Sequence, residues 1–219
     1  MKTIIFTSDT HTHHDSLTPH LEKILKKHPE AILVHCGDIS YRGTPAEIQL
    51  FSMWFSKIPT SKKILIAGNH DFLFENNRTL AKEILLDLCP EANYLEDSGV
   101  EIDGIKFWGS PVTPRFYDWA FNRDSDIKNY WDLIPSDIDV LITHGPPKGI
   151  LDLTNSGLSV GCPYLREKIL DLKKLKVHAF GHIHEASGVL EVDGITYVNA
   201  SALNRRYIFQ NPPFVFELE

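Results

Sequence analysis

The sequence predicts an α/β fold in which two mixed β-sheets pack face to face with helices on the outside. Three observations carry this. Short apolar runs alternate with amphipathic stretches as far as Leu88, which is a β-α-β-α-β-α order. Two Asp-Gly turns flanked by apolar runs follow, and each signals a hairpin. Helical connections need a parallel sheet with covered faces, and hairpins add antiparallel strands to it.

Each element has its own warrant. Ile4–Thr7 is an apolar strand opening into Ser8-Asp9. Leu17–Lys27 carries Leu21, Ile24 and Leu25 at helical spacing and stops before Pro29. Ala31–Cys36 is a buried strand ending at Gly37-Asp38. Thr44-Pro45-Ala46-Glu47 is a capping box with proline at the first helical position, so Ile48–Ile58 follows as a helix. Lys63–Ala67 is a strand ending at Gly68-Asn69-His70-Asp71, and Asn77–Leu88 is a helix stopped by Pro90. Val100–Ile102 and Ile105–Trp108 flank Asp103-Gly104; Val189–Val192 and Ile195–Val198 flank Asp193-Gly194. Between the hairpins lie strand Ile138–Thr143, helix Leu165–Leu172 and strand Val177–Phe180. Phe214–Leu218 is a closing strand. No linker, repeat or low-complexity segment divides the chain, so residues 1–219 are expected to form a single domain.

Composition excludes several classes. With 42% hydrophobic residues in 219, the chain can bury a core, and disorder is excluded. Its 22 basic and 29 acidic side chains give a net charge of −7, which argues against a polymeric nucleic acid as partner. Cys36, Cys89 and Cys162 are far apart and odd in number, and they form no disulfide framework; a reducing cytoplasm is expected. The N-terminus lacks a signal-peptide core, and no stretch approaches the roughly 18 apolar residues of a membrane helix. No membrane partner is expected, and nothing in the sequence fixes an oligomeric state.

Five of the expected strands end in a polar cluster: Asp9-Thr10-His11, Gly37-Asp38, Gly68-Asn69-His70-Asp71, Thr143-His144-Gly145 and Gly181-His182-Ile183-His184. Loops after strand C-termini form the binding crevice of α/β sheets, so the five can converge. Each cluster alone is an ordinary strand-end turn; five in this order are not. The side chains are carboxylates, imidazoles and one carboxamide, which suit Mn, Fe, Zn or Ni. Asp9, His11, Asp38, Asn69, His144, His182 and His184 are too many ligands for one ion. They suit two divalent ions about 3.5–4 Å apart, the arrangement used in phosphoester cleavage.

These motifs resemble those of the calcineurin-like metallophosphoesterase superfamily: D-x-H, G-D-x-x-x-x-G (here Gly37 to Gly43), G-N-H-D, a His-Gly pair and G-H-x-H. GSPVTPRFYDWAFN, HGPPKGILDLTNSG, SVGCPYLRE and FGHIHEASG are similar to the subfamily of vertebrate brain metallophosphoesterase-domain proteins. The resemblance implies a four-layer sandwich and a metal-dependent phosphoric ester hydrolase. It favours a phosphodiesterase for small phosphoesters such as cyclic nucleotides, using a hydroxide that bridges two ions, with Mn the first choice. It implies that Asp9, His11 and His184 hold one ion, that Asn69, His144 and His182 hold the other, and that Asp38 bridges them. His70 would face the phosphoryl group and protonate the leaving oxygen, and Asp71 would orient His70 by accepting its other N–H. At least one vertebrate relative has glycine at the position of His182; this chain keeps the histidine.

The alternatives are a phosphomonoesterase or protein phosphatase, or an inactive binding module of the same fold. A protein phosphatase should group arginines at the site, whereas Arg42, Arg115 and Arg123 are scattered. A binding module should have broken ligand positions, and none is broken. Phe116, Tyr117, Trp119 and Phe121 read first as a small core under a long loop, and second as a wall for a nucleobase or aryl leaving group. Cys162 reads as a buried helix-start residue, His13 and His14 as exposed loop, and Tyr207–Phe216 as a candidate oligomer contact.

Overall fold

The computed structural model describes residues 1–218. β1 (Lys2–Thr7), β2 (Ile32–His35), β3 (Lys63–Leu65) and β4 (Ala92–Tyr94) lie parallel and in sequence order. They are joined by α1 (Thr18–Lys27), α2 (Pro45–Lys57), and the consecutive helices α3 (Phe72–Asn76) and α4 (Arg78–Leu88). A second sheet follows, from β5 (Ser98–Ile102) and β6 (Ile105–Ser110). A long excursion then carries the short ribbon of β7 (Thr113–Pro114) and β8 (Asn122–Arg123), and helix α5 (Ile127–Asp132). The second sheet is completed by β9 (Val140–Thr143), β10 (Val177–Phe180) after α6 (Pro163–Asp171), β11 (Gly188–Val192) and β12 (Ile195–Asn199). Its order is β11-β12-β10-β9-β6-β5, with the four inner strands parallel and the two edges antiparallel. β13 (Phe214–Leu218) returns to pair antiparallel with β1.

The strand periodicity sets the layers. Ile4, Phe6, Ile32, Val34, Ile64 and Ile66 face the second sheet, where they meet Phe107, Val140, Ile142, Val177 and Val198. Ile5, Leu33 and Leu65 face the other way, against Leu21, Phe51, Phe55, Phe74 and Leu85 of the helices. Leu141, Phe180 and Tyr197 face Trp131, Leu165 and Ile169 on the far side. The order is helices, sheet, sheet, helices, as expected. Parallel strands covered on both faces read as unbroken apolar runs, and β2, β9 and β10 are buried at every residue.

The capping box forms as read: Thr44 Oγ1 accepts from Glu47 N–H, and the Glu47 carboxylate accepts from Thr44 N–H. Five strands and helices escape the sequence reading, namely β4, α3, β7, β8 and α5. Each spans two to six residues, too few to show a period. Asn77 divides α3 from α4, because its side chain accepts from Leu80 N–H and starts a new helix. Among the described residues no helix is long and apolar enough to cross a membrane. The three cysteines are buried and unpaired. Cys162 begins α6 and receives the Trp131 indole N–H at 3.3 Å, and burial pushes its thiol up; it is a packing residue. His14 departs from expectation, being buried against Phe51 and Trp54; only His13 is exposed.

Candidate metal centre

The C-terminal ends of β1, β2, β3, β9 and β10 point to one edge of the sandwich, and all five polar clusters meet there. Three groups of donors each lie within 4.8 Å of one another: Asp9, His11 and His184; His11, Asp38 and His70; and Asp38, His144 and His182. Asn69 joins the third, with its Oδ1 2.9 Å from His144 Nε2. Asp38 and His11 are shared between groups, so the groups form one continuous line.

The backbone is bent hard to achieve this. Asp9 (φ 53°), His11 (39°), Asp38 (55°) and His182 (69°) all lie in the left-handed region. Such residues cost of order 1–3 kcal/mol each and persist only where surrounding bonds over-determine them. Here Asp9 N–H donates to Gly37 C=O, His11 N–H to Asp38 C=O and Gly181 N–H to His144 C=O. Two glycines let the carboxylates come close. A Cβ on Gly68 would lie 2.2 Å from Asp38 Oδ1, and one on Gly181 2.0 Å from Asp9 Oδ2.

The imidazoles are fixed by one repeated device. Nδ1 of His11 donates to Ser40 C=O, that of His144 to Cys36 C=O, that of His184 to Asn204 C=O and that of His70 to Tyr41 C=O. A carbonyl only accepts, so Nδ1 carries a proton in each ring and Nε2 is the nitrogen left for the site. His11 Nε2 and His184 Nε2 then face each other at 3.3 Å, and His144 Nε2 lies 3.3 Å from Asp38 Oδ2. Imidazole nitrogens and carboxylate oxygens crowded in a buried place call for positive charge between them, from the proton on His144 in the metal-free fold or from divalent ions. The donors are oxygen and nitrogen, as divalent ions of the Mn, Fe, Zn and Ni group require, and they fit such ions.

The charges say the same. Burial raises Asp38, but His144 and His11 outweigh it and hold the carboxyl well below its usual range. Asp9 is likewise lowered against its burial, by His184 and His144. His144 is lowered by burial but more strongly raised by Asp38 and Asp9, to about 9. His11 and His182 are brought down to about 4, chiefly by burial. The pocket thus keeps both carboxylates ionised and leaves two imidazoles neutral.

Asp71 departs from expectation. It does not receive His70's N–H, which goes to Tyr41 C=O at 2.8 Å. Asp71 instead accepts from Ile39 N–H, Ser40 N–H, Ser40 Oγ–H and Gly68 N–H, tying the second motif to the third. Burial and the Asp38 charge push it up to about 6. His70 stacks on Trp119, centroids 4.2 Å apart.

The Phe116–Phe121 stretch divides between its two readings. Phe121 is core, while Trp119 and Phe116 line the cleft. The sequence reading passes over Ser201, whose hydroxyl donates to Asp9 Oδ2 at 2.8 Å, and Arg205, which lines the cleft. It does not place Tyr207, read only as part of a candidate oligomer contact, at the site, where it packs edge-on against His11 at 4.8 Å. A signal is available: β12 runs parallel to β10, so the loop after Asn199 opens on the same edge.

A four-layer sandwich with clustered Asp and His donors at the strand ends defines a metallophosphoesterase. The model for calcineurin-like phosphoesterases matches residues 2–186, and the chain belongs to that family. It is 37% identical over 209 residues to human metallophosphoesterase domain-containing protein 1, covering 85% of this chain and 64% of that protein. It is 33% identical to a UPF0046 protein of Caenorhabditis elegans, covering 89% of this chain and 56% of the relative. The chain therefore spans somewhat under two thirds of these relatives. Among solved structures it is similar to the protein TT1561 of Thermus thermophilus (TM-score 0.63, 13% identity, 90% and 88% of the two chains). It is also similar in fold to an archaeal phosphodiesterase (TM-score 0.51, 20% identity, 98% and 99% of the chains).

Proposed function

We propose that the chain is a phosphodiesterase that holds two divalent ions, Mn first among them, and hydrolyses small phosphodiesters such as cyclic nucleotides. Asp9, His11 and His184 would hold one ion and Asn69, His144 and His182 the other, with Asp38 available to both. When bound, the ions supply an acidified water as nucleophile and positive charge at the phosphoryl oxygens. His70 borders the site without being needed as a ligand. Tyr41 C=O holds its Nδ1–H, so Nε2 is the atom that carries a proton into the cleft. That proton passes to the leaving alcohol as its bond to phosphorus breaks, while water's oxygen joins the phosphorus. Trp119 stacks on the ring and limits its rotation.

The observation that carries the preference for diesters is the cleft's cation count. Arg205 is the one arginine lining it among the described residues. Arg115 is committed to Asp124, and Arg123 to Glu75. A monoester dianion calls for more fixed positive charge than a diester monoanion does. The test is a panel of diesters and monoesters, including 2′,3′- and 3′,5′-cyclic nucleotides, assayed with protein stripped and reloaded with Mn, Fe, Zn or Ni. Turnover of monoesters alone would overturn the reading.

A further inference from the structure

The cleft over the metal-ligand line is the middle of three joined chambers. His182 and Phe116 border it on one side, and both also line a neighbouring cavity of about 420 Å³. That cavity is walled by Pro114, Pro146, Val160 and Ile183, and it is mainly apolar. Its one charged lining residue, Arg115, has its guanidinium on Asp124 at 2.8 Å. On the other side, His184, Glu185 and Arg205 border both the cleft and a cavity of about 320 Å³. That one is lined by Arg206, Asn204, Asn211 and Gln210 and is mainly polar. Arg205 and Arg206 are exposed, and among the described residues neither is in an ion pair. Glu185 is the single acid of this chamber, and its carboxylate already accepts from Asn155 N–H at 3.0 Å. The turn His182-Ile183-His184 thus has an apolar chamber at one end and a cationic one at the other.

Phosphorus in a diester carries two alcohol arms, and a site between two unlike chambers distinguishes them. Resting on the diesterase reading above, we infer that, beyond small cyclic diesters, the site prefers an unsymmetrical open-chain phosphodiester. One arm is an apolar, ring-sized group and the other bears an anionic group. The apolar chamber has the size of a small-ligand site. Phe116 is 57% exposed and Val160 41%, which leaves apolar surface free for that arm to cover. The two guanidiniums supply charge-assisted hydrogen bonds to a carboxylate or phosphate on the other arm.

The test uses three diesters built on one phosphorus: benzyl 2-carboxyethyl phosphate, its neutral benzyl 2-carbamoylethyl isostere, and methyl 2-carboxyethyl phosphate. Benzyl and methyl alcohols are of similar acidity, so their comparison reads the chamber rather than the leaving group. Bis(p-nitrophenyl) phosphate and benzyl phosphate serve as a general diester and a monoester. With Mn-loaded protein, the first diester should have kcat/KM about tenfold above each of the other two. Calorimetry should rank the three phosphinate analogues, in which carbon replaces both ester oxygens, in the same order of Kd. Val160→Asp should remove the benzyl preference and keep the carboxylate preference. Arg205→Ala with Arg206→Ala should do the reverse. Equal kcat/KM and equal Kd across the three diesters, with bis(p-nitrophenyl) phosphate still hydrolysed, would overturn the two-arm inference and leave the diesterase standing. Hydrolysis of benzyl phosphate with no diester turned over would overturn the diesterase reading itself.

Discussion

The floor of the cleft and its rim are built on opposite principles. On the floor, Asp9, Asp38, Asp71 and His144 are buried and held by hydrogen bonds from neighbouring loops. Left-handed backbone is tolerated there because neighbouring strands dictate it. On the rim, Phe116, Tyr117, Arg205 and Arg206 are exposed, and they sit on loops after strand ends. On the proposed reading the floor carries the chemistry, while the rim is free to decide which ester is admitted. The contrast separates how the protein reacts from what it reacts with.

The hardest blow to the floor is Asp38→Ala. It removes the carboxylate shared by both donor groups and should lower metal content from two ions per chain to near none, read by elemental analysis. Turnover should fall by about 10³-fold or more. His70→Ala should separate binding from chemistry. Both ions stay bound while kcat drops by roughly 10²–10⁴-fold; loss of metal from this variant would make His70 a ligand. Asp71→Ala should act on stability rather than on the ions directly. It leaves Ile39, Ser40 and Gly68 donors unsatisfied in a buried place and should cost about 2–4 kcal/mol in denaturant unfolding.

A gentler probe is pH. His144 stands at about 9 in the metal-free fold, so below that value an ion must displace its proton. Mn affinity should therefore rise by about tenfold per pH unit between 6 and 8. The metal-free fold responds in the other direction to this group: its raised value stabilises the fold below 6.5, and that contribution disappears as pH rises through 9. Smallest of all is the rim. Trp119→Ala should leave metal content unchanged and alter kcat/KM by roughly tenfold or less, by an amount that depends on the ester. An equal loss for every ester would move Trp119 from rim to floor.

The same contrast governs what could be read in advance. Asp9, His11, Asp38, Asn69, His144, His182 and His184 are legible because each follows an apolar strand, and strand ends in such sheets converge. The role of Asp71 is misread because its partners, Ile39, Ser40 and Gly68, are chosen by how two loops fold over each other. Arg205 and Tyr207 are missed because their loop reaches the site only through the β10–β12 pairing, a register between strands that no local pattern announces. Likewise Trp119 and Phe121, two residues apart, go to the cleft and the core. The Asn122 side chain closes that loop on Phe116 and Tyr117 C=O, and one sequence neighbour turns outward where the other turns in.

The backbone at His182 bears on how such a site decays. With φ at 69°, the position already has the shape glycine prefers and histidine resists. A change to glycine there relieves the main chain even as it removes a candidate ligand. Loss of the imidazole thus has an open path at this position. The chain keeps His182 against the grain of its own backbone.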